Sequence, residues 1–181
     1  MRCQNMNYPY DFEAKTAIEI ILYIAPKVAQ PTFHTISKMM YFADKAHLEK
    51  YGRFICHDNY LAMKHGTVPS GTYQILKMVR GDSFIPLSTT DQASNAFTVE
   101  DKSVVKARRP ANFDYLSQSV LECLDNAITQ YGHLSFRELT ELSHDTAWES
   151  ADENDCIEIE QIAATLANSE DLLEYLSNPH P

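Results

Sequence analysis

Two apolar stripes at helical spacing, separated by a pair of prolines, organise the first part of the chain. In the first stripe, apolar side chains recur every three or four residues, at Ala14, Ala17, Ile18, Ile21, Leu22 and Ala25. This spacing predicts a helix with one buried face from about Phe12 to Ala25, capped by Asp11. Pro26 should end or kink that helix, because proline lacks a backbone donor and restricts the preceding residue.

The second stripe predicts a longer helix, beginning after Thr32 and ending at about Tyr51. The Thr32 hydroxyl can accept a hydrogen bond from an otherwise unpaired N–H of the first turn, and Gly52 suits the position after the last turn. A short strand is expected over residues 58–64 and a turn over residues 65–71. A third helix follows at about 70–80.

The middle of the chain has a different, β-prone composition. Residues 96–99 and 103–107 are rich in Val, Thr and Phe, and the charged residues 100–102 lie between them. This pattern predicts a β-hairpin. A hairpin needs a third strand to be stable in water, and the strand at 58–64 is the candidate for that place.

Helical spacing returns in the last third. Asp114 or Ser117 can cap a helix that ends at about Tyr131, and Ser135 with Glu138 has the spacing of a capping box. Trp148 is expected in a short polar connection. Two further helices are expected over about 160–167 and, capped by Ser169, to about residue 176. The predicted fold class is therefore α+β and mostly α: a compact helical domain with a small antiparallel β element of about three short strands.

Charge and hydropathy limit the classes of partner. The net charge of −10 opposes nonspecific contact with nucleic acid or anionic membranes. It fits either an ordinary solvated surface or a basic partner. No apolar run reaches the roughly 18–20 residues of a membrane span, and the first residues lack the layout of a signal peptide. A cytoplasmic location and four reduced cysteines are therefore expected.

No catalytic or metal-binding motif is recognisable. The seven histidines show no His-Glu-x-x-His spacing, the four cysteines form no Cys-x-x-Cys pair, and no Gly-x-Ser-x-Gly elbow occurs. Cys56, His57 and Asp58 are adjacent, but neighbouring side chains on an extended chain point to opposite faces. We therefore expect no enzymatic activity and no cofactor.

Some polar and aromatic residues have two readings. Lys38, Tyr41 and Asp44 share a helix and could form a polar patch that meets a partner or fixes the adjacent turn. Alternatively, Tyr41 is half-buried with its hydroxyl hydrogen-bonded, and Lys38 extends beside it towards water. Trp148, the single tryptophan, could close the core or act as an interface anchor.

Two ordered sequence blocks carry a family resemblance. The first runs through residues 38–44, 47–53, 60–66 and 68–70, and the second comprises residues 131–132 and 135–144 with Trp148. Together they resemble the Panacea-domain (SocA-like) antitoxin family over roughly residues 14–150. One departure is visible, because the family commonly has Gly-Pro-Val before its third helix and this chain has Gly66, Thr67, Val68 and Pro69.

The resemblance implies a mostly helical domain that neutralises a small protein toxin by direct binding, with the toxin encoded in the same operon. Some relatives instead act as adaptors that deliver the toxin to a protease, and a DNA-binding regulator is a weaker alternative. The expected partners are a cognate toxin, a protease in the adaptor case, and a second copy of the chain as a further candidate. Neither membrane nor nucleic acid is expected. The candidate partner-binding or motif residues are Lys38, Tyr41, Asp44, Tyr51, Gly52, Tyr60, Gly66, Pro69, Tyr73 and Trp148.

The predicted organisation has three parts. Residues 1–13 form an N-terminal leader, residues 14–150 form the Panacea-like domain, and residues 151–181 form an acidic helical extension packed on that domain. The extension carries runs of Asp and Glu, which indicate a solvated face or a surface that docks on a basic partner.

Overall fold

Helices dominate the computed structural model, which describes residues 8–82 and 90–178. A few short antiparallel strands accompany them, so the predicted α+β, mostly α class is confirmed. The helices are α1 (Ala14–Ile24), α2 (Phe33–Tyr51), α3 (Ser70–Arg80), α4 (Thr90–Ala96), α5 (Gln118–Tyr131), α6 (Phe136–Ser143), α7 (Thr146–Glu149), α8 (Ile159–Ala163) and α9 (Ser169–Ser177). The seven residues of α4 were not predicted as a helix.

Helix α2 is the centre of the fold, because α1, α3, α5, α6, α8 and the second strand all contact it. Both of its predicted ends are confirmed. The Thr32 hydroxyl accepts a hydrogen bond from the Thr35 N–H at 3.1 Å. Gly52 closes the last turn in the left-handed conformation, with φ of 70°.

The strands form two separate antiparallel sheets. They are β1 (Tyr60–Met63), β2 (Gly66–Pro69), β3 (Phe97–Glu100), β4 (Val104–Ala107) and β5 (Cys156–Ile157). The first sheet has the order β2-β1-β5, and β3 pairs with β4 in the second. The predicted hairpin in the middle of the chain is thus confirmed.

Two strand predictions are wrong. Residues 65–71 are mostly not a turn, because β2 pairs with β1 from Met63↔Gly66 to Tyr60↔Pro69. Strand β1 does not join β3 and β4, since its second edge is occupied by β5 in the register Tyr60↔Ile157. Both edges of β1 are therefore used within its own sheet.

Several predicted helix ends also need correction. Helix α1 begins at Ala14, and its N-cap is Glu13 rather than Asp11. The Glu13 N–H instead donates to the Cys56 carbonyl at 2.9 Å, which fixes the entry of the chain. At the other end, the chain continues as a 3-10 helix over Ala25–Lys27, because Pro26 is tolerated in a first turn.

The C-terminal third follows the predictions more closely. Ser117, not Asp114, caps α5, and the capping box of Ser135 and Glu138 is confirmed. Helix α8 is shorter than predicted, and α9 has Asn168 as its N-cap instead of Ser169. Trp148 lies within α7 rather than in a connection.

Two apolar clusters make up the core. The larger one joins α1, α2, α3 and α5. The smaller one contains Tyr41, Leu48, Phe54 and Tyr60, and it is completed by apolar residues beyond position 151, namely Ile157, Ile159, Ile162, Ala163, Leu172 and Leu176. The predicted leader lies partly outside the described residues, and the three-part division of the chain stays a prediction.

Among the three cysteines that the structure describes, one differs from expectation. Cys56 and Cys123 are buried free thiols, whereas Cys156 is disulfide-bonded, so the expectation of four reduced cysteines is wrong for Cys156. Over residues 8–82 and 90–178, the structure has no helix with the length and apolarity needed to cross a bilayer.

A candidate binding groove beside a buried polar network

Helix α2 carries three polar side chains into the protein interior. Lys38, Tyr41 and Asp44 are at most 1% exposed. The prediction that these side chains meet a partner at the surface is therefore wrong, whereas the alternative that they fix the adjacent turn agrees with the bond from Lys38 to β2. The other alternative, in which Tyr41 is half-buried and Lys38 reaches outward, also predicts more exposure than these two side chains have. A buried polar group costs free energy unless it is hydrogen-bonded, so each must be paired within the fold.

Lys38 pairs with the backbone of β2. Its ammonium group donates to the Thr67 carbonyl at 2.8 Å, and burial lowers the pKa of Lys38 to about 7. Gly66 permits this approach, because a Cβ there would overlap the Ser143 hydroxyl and lie 2.8 Å from the Lys38 nitrogen. Gly66 also has φ of 96°, which L side chains rarely adopt. The close packing of α2, β2 and α6 at this point thus depends on glycine.

Tyr41 connects α2 to α7. Its hydroxyl donates to Asp145 Oδ2 at 2.7 Å, and the Lys45 ammonium group approaches the same oxygen at 3.0 Å. Burial, followed by the Asp145 charge, raises the pKa of Tyr41. The other oxygen of Asp145 accepts from the Trp148 N–H at 3.1 Å and so caps α7. One carboxylate therefore ties the two helices together.

Trp148 packs against the β1–β2 hairpin. Its indole N–H donates to the Met63 carbonyl at 2.9 Å, and its ring stacks on His144 with a centroid distance of 3.9 Å. These contacts give Trp148 a role in positioning the end of β1.

Asp44 holds the segment that leads into β1. It accepts from the Ile55 N–H at 2.6 Å and from the Tyr60 hydroxyl at 2.5 Å. Burial raises the pKa of Asp44 to about 7, although both hydrogen bonds act in the opposite direction.

A second buried carboxylate, which the sequence analysis considered only as a neighbour of Cys56 and His57, positions α3. Asp58 accepts from the N–H groups of Gly71 and Thr72 at 2.7 and 2.8 Å, and from the Thr72 hydroxyl at 2.7 Å. It thereby caps the helix that follows Pro69. Burial raises its pKa despite these bonds. In the sequence, this cap shows only as an Asp before a strand, 13 residues before Gly71, whose N–H it accepts from.

The adjacent Cys56, His57 and Asp58 do not assemble into a reactive site. Asp58 is bound to α3, while His57 Nδ1 is hydrogen-bonded to the Tyr8 hydroxyl at 2.8 Å. Burial raises the pKa of the Cys56 thiol. Nor do three or more His, Cys, Asp or Glu side chains cluster as a metal site would require, within the part of the chain that the structure describes.

An open groove of ≈ 360 Å³ lies beside this network. It is bounded by the start of α2, the turn of the β1–β2 hairpin, α3 and the first turn of α6. Its lining consists of Thr32, Phe33, His34, Ser37, Lys38, Met63, Lys64, His65, Val68, Tyr73, Arg80, Ser103 and Phe136. In the part of the chain that the structure describes, three Phe or Tyr rings and five Lys, Arg or His side chains line the groove, and no Asp or Glu does.

The aromatic side of the groove is held in place by its neighbours. Phe136 is 54% exposed, yet its ring stacks on His34 at 3.9 Å and meets the His65 ring edge-on at 5.3 Å. His34 is fixed in turn by a hydrogen bond to the Thr140 hydroxyl at 2.9 Å. Burial lowers the pKa of His34 to about 4, so this imidazole is neutral at pH 7.

Neighbouring residues also hold the opposite side of the groove in place. The Tyr73 ring contacts the Phe33 ring edge-on at 6.2 Å, and the Arg80 guanidinium lies 4.8 Å from the Phe33 centroid. Arg80 is held by Asp82 at 2.6 Å and by the Lys102 carbonyl at 2.7 Å. The groove is therefore preformed.

The predicted site residues fall into three places. Lys38 and Tyr73 line the groove, whereas Tyr51 and Gly52 lie at the far end of α2, where Tyr51 is 44% exposed and contacts the His47 ring at 4.7 Å. The remaining ones belong to the network and the hairpin, namely Tyr41, Asp44, Tyr60, Gly66, Pro69 and Trp148.

Sequence reasoning missed His34, His65, Arg80 and Phe136 as groove residues. Phe136 had one available signal, since it is a large apolar residue directly after the N-cap Ser135. The others come together only through tertiary contacts.

Comparisons with known proteins give one match. The family model described as "Antitoxin SocA-like, Panacea domain" matches residues 36–149, more than half of the chain. No curated protein and no solved structure matches. The matched range contains the buried network, the β1–β2 hairpin and most of the groove.

Proposed function

Because the chain belongs to the SocA-like antitoxin family with a Panacea domain, we propose that it neutralises a small protein toxin by binding directly to it. The groove is the observation that carries this proposal. It offers a large exposed aromatic ring, Phe136, which its neighbours already hold in one orientation. Such aromatic residues are enriched among the interface positions that contribute most to affinity.

Preorganisation supports a binding role. The Phe136 ring is stacked and Tyr73 is braced by Phe33, so a partner would lose little side-chain entropy on ordering them. Neutralisation by covering the toxin surface requires an interface of roughly 1,200–2,000 Å². The groove would form the centre of such an interface, and the mechanism needs no bond-making step.

The direct test is co-expression with the product of the neighbouring open reading frame. We expect that product alone to inhibit growth, and the chain to restore growth and to co-purify with it. A partner that stays toxic in the presence of the folded chain, and does not co-purify, would contradict the proposal. We also propose that the complex forms in the cytoplasm, which fractionation of the co-expressing cells can check.

The same system separates direct neutralisation from the two alternatives. An adaptor for a protease would shorten the half-life of the partner, whereas simple binding leaves the half-life unchanged or longer. A DNA-binding regulator would slow the migration of its own promoter DNA in a gel at moderate salt. The net charge of −10 opposes such binding to DNA.

A further inference from the structure

The charge of the groove is opposite to that of the whole chain. Among the described residues, its lining includes the cations Lys64 and Arg80, the latter paired with Asp82, and the buried Lys38, and it includes no Asp or Glu, although the chain has a net charge of −10. Charge complementarity across an interface favours partners of opposite sign and disfavours others. The local charge therefore indicates an anionic group in the occupant.

The turn of the β1–β2 hairpin is the part of the groove that can bind this anionic group. Lys64 and His65 are the two turn residues between the paired positions Met63 and Gly66, and both are exposed. Within the part of the chain that the structure describes, Lys64 takes part in none of the ion pairs. The His65 ring contacts Phe136, so this basic turn lies directly beside the aromatic side of the groove.

Lys38 also lines the groove, although its side chain is buried. Its ammonium group makes a hydrogen bond to one carbonyl, that of Thr67, and a lysine ammonium has three donors.

We propose that the groove binds a segment of the partner protein in which a carboxylate stands beside an aromatic or large apolar side chain. The apolar group lies among Phe33, Tyr73 and Phe136, and the carboxylate lies at Lys64 and His65. The volume of ≈ 360 Å³ is within the roughly 300–1,000 Å³ of ligand pockets. This inference rests on the proposed function, since it specifies which part of a toxin the antitoxin recognises.

A small probe tests the chemistry without the partner. Titration of 3-phenylpropionate into the ¹⁵N-labelled full chain should shift the amide signals of the hairpin turn and of the start of α6. The neutral 3-phenylpropionamide should bind about tenfold more weakly, the loss expected for one charge-assisted contact. Equal binding of the two probes, or binding of neither, would overturn the proposal. Tighter binding of adenosine monophosphate would also overturn it, because the groove would then be a nucleotide site.

Two exposed substitutions connect the probe to neutralisation. Phe136→Ala and Lys64→Glu should abolish 3-phenylpropionate binding and reduce growth rescue in the co-expression assay. The matched controls are Phe113→Ala, at an aromatic ring that is 58% exposed elsewhere, and Lys106→Glu, whose side chain is 68% exposed. Both controls should leave probe binding and rescue unchanged, and circular dichroism checks that all four variants fold.

The outcomes distinguish the inference from the proposed function. If the unmodified chain binds the carboxylate probe but does not neutralise the neighbouring product, the proposed function fails and the groove chemistry stands. If neutralisation is intact in both Phe136→Ala and Lys64→Glu, the groove is not the toxin-binding surface and the inference fails.

Discussion

The buried network and the groove use the same helix in opposite ways. At Lys38, Tyr41 and Asp44, α2 turns polar groups inward, and each of them finds a hydrogen-bond partner within the fold. Near its start, α2 lines the groove with the buried Phe33 ring and with His34, which stacks on the exposed Phe136 ring. The difference indicates that the most recognisable motif residues, Lys38, Tyr41 and Asp44, hold the fold together. The surface that can meet a partner is supplied by residues next to them.

The largest effect is expected where the two regions meet, at Gly66. Gly66→Ala combines a left-handed backbone with a steric clash against Ser143 and Lys38, and should lower the free energy of unfolding by roughly 3–5 kcal/mol. Urea denaturation measures this value. Gly81 is a matched control, because it has the same φ of 96° and an added Cβ would have no atom of the described residues 8–82 and 90–178 within 4 Å. Gly81→Ala should cost only about 1–2 kcal/mol, the cost of the backbone conformation.

The difference between the two glycines measures how tightly the hairpin packs on α2. Removing the clashing hydroxyl in the double variant Gly66→Ala with Ser143→Ala should restore part of the loss. Equal destabilisation by Gly66→Ala and Gly81→Ala would show that the close approach of Lys38 to β2 contributes little.

A smaller loss is expected at Asp44. Asp44→Ala leaves the Tyr60 hydroxyl and the Ile55 N–H without an acceptor in a fully buried place. We expect a destabilisation of about 3 kcal/mol, measured by urea denaturation. Asp125→Ala is the control, because Asp125 accepts from the Tyr23 hydroxyl at the surface and should cost about 1 kcal/mol. Similar losses in both variants would contradict the assignment of Asp44 to a buried network.

Lys38 predicts a pH dependence of stability. Its pKa is about 7 in the folded chain and near 10.5 when unfolded, so between these values the unfolded state binds more protons. Stability should therefore rise with pH from 7 towards 10, by about 2–4 kcal/mol from this residue. The measurement is the difference between the original chain and Lys38→Met at pH 7, 8 and 9, because the variant retains every other titrating group. A difference that does not change with pH would mean that Lys38 keeps its ordinary pKa.

The sequence predicted what depends on local spacing and missed what depends on distant partners. Thr32 and Gly52 as the ends of α2, and the capping box at Ser135, follow from residues within one turn of each other. Asp58 is a helix cap supplied from 13 residues away, and no local pattern identifies it. Pro69, the proline whose position differs from the family pattern, illustrates the same limit. Pro69 suggested a turn, yet it pairs with Tyr60 because an edge strand tolerates a residue that lacks a donor.

The groove was less predictable than the network for a related reason. Its aromatic wall requires Phe136 to reach His34, about a hundred residues away, and its basic turn becomes visible only once β2 is recognised as a strand. Lys38 and Tyr73 were identified because they belong to the motif or to an apolar stripe. Their neighbours carry no such pattern, so the tertiary contacts had to be known first.

The smallest predicted effect tests whether the cap of α6 connects the framework to the groove. Phe136 is the first residue of α6, and the capping box fixes that turn through the Ser135 hydroxyl and Glu138 Oε2. Ser135→Ala should lower the free energy of unfolding by about 1 kcal/mol and weaken 3-phenylpropionate binding roughly threefold, because the ring is less well positioned. Ser117→Ala is the matched control, since Ser117 caps α5 through a similar bond to the Val120 N–H and does not line the groove. It should cost the same stability and leave probe binding unchanged. If both variants weaken the probe equally, the effect arises from general destabilisation, and the cap does not position Phe136 for binding.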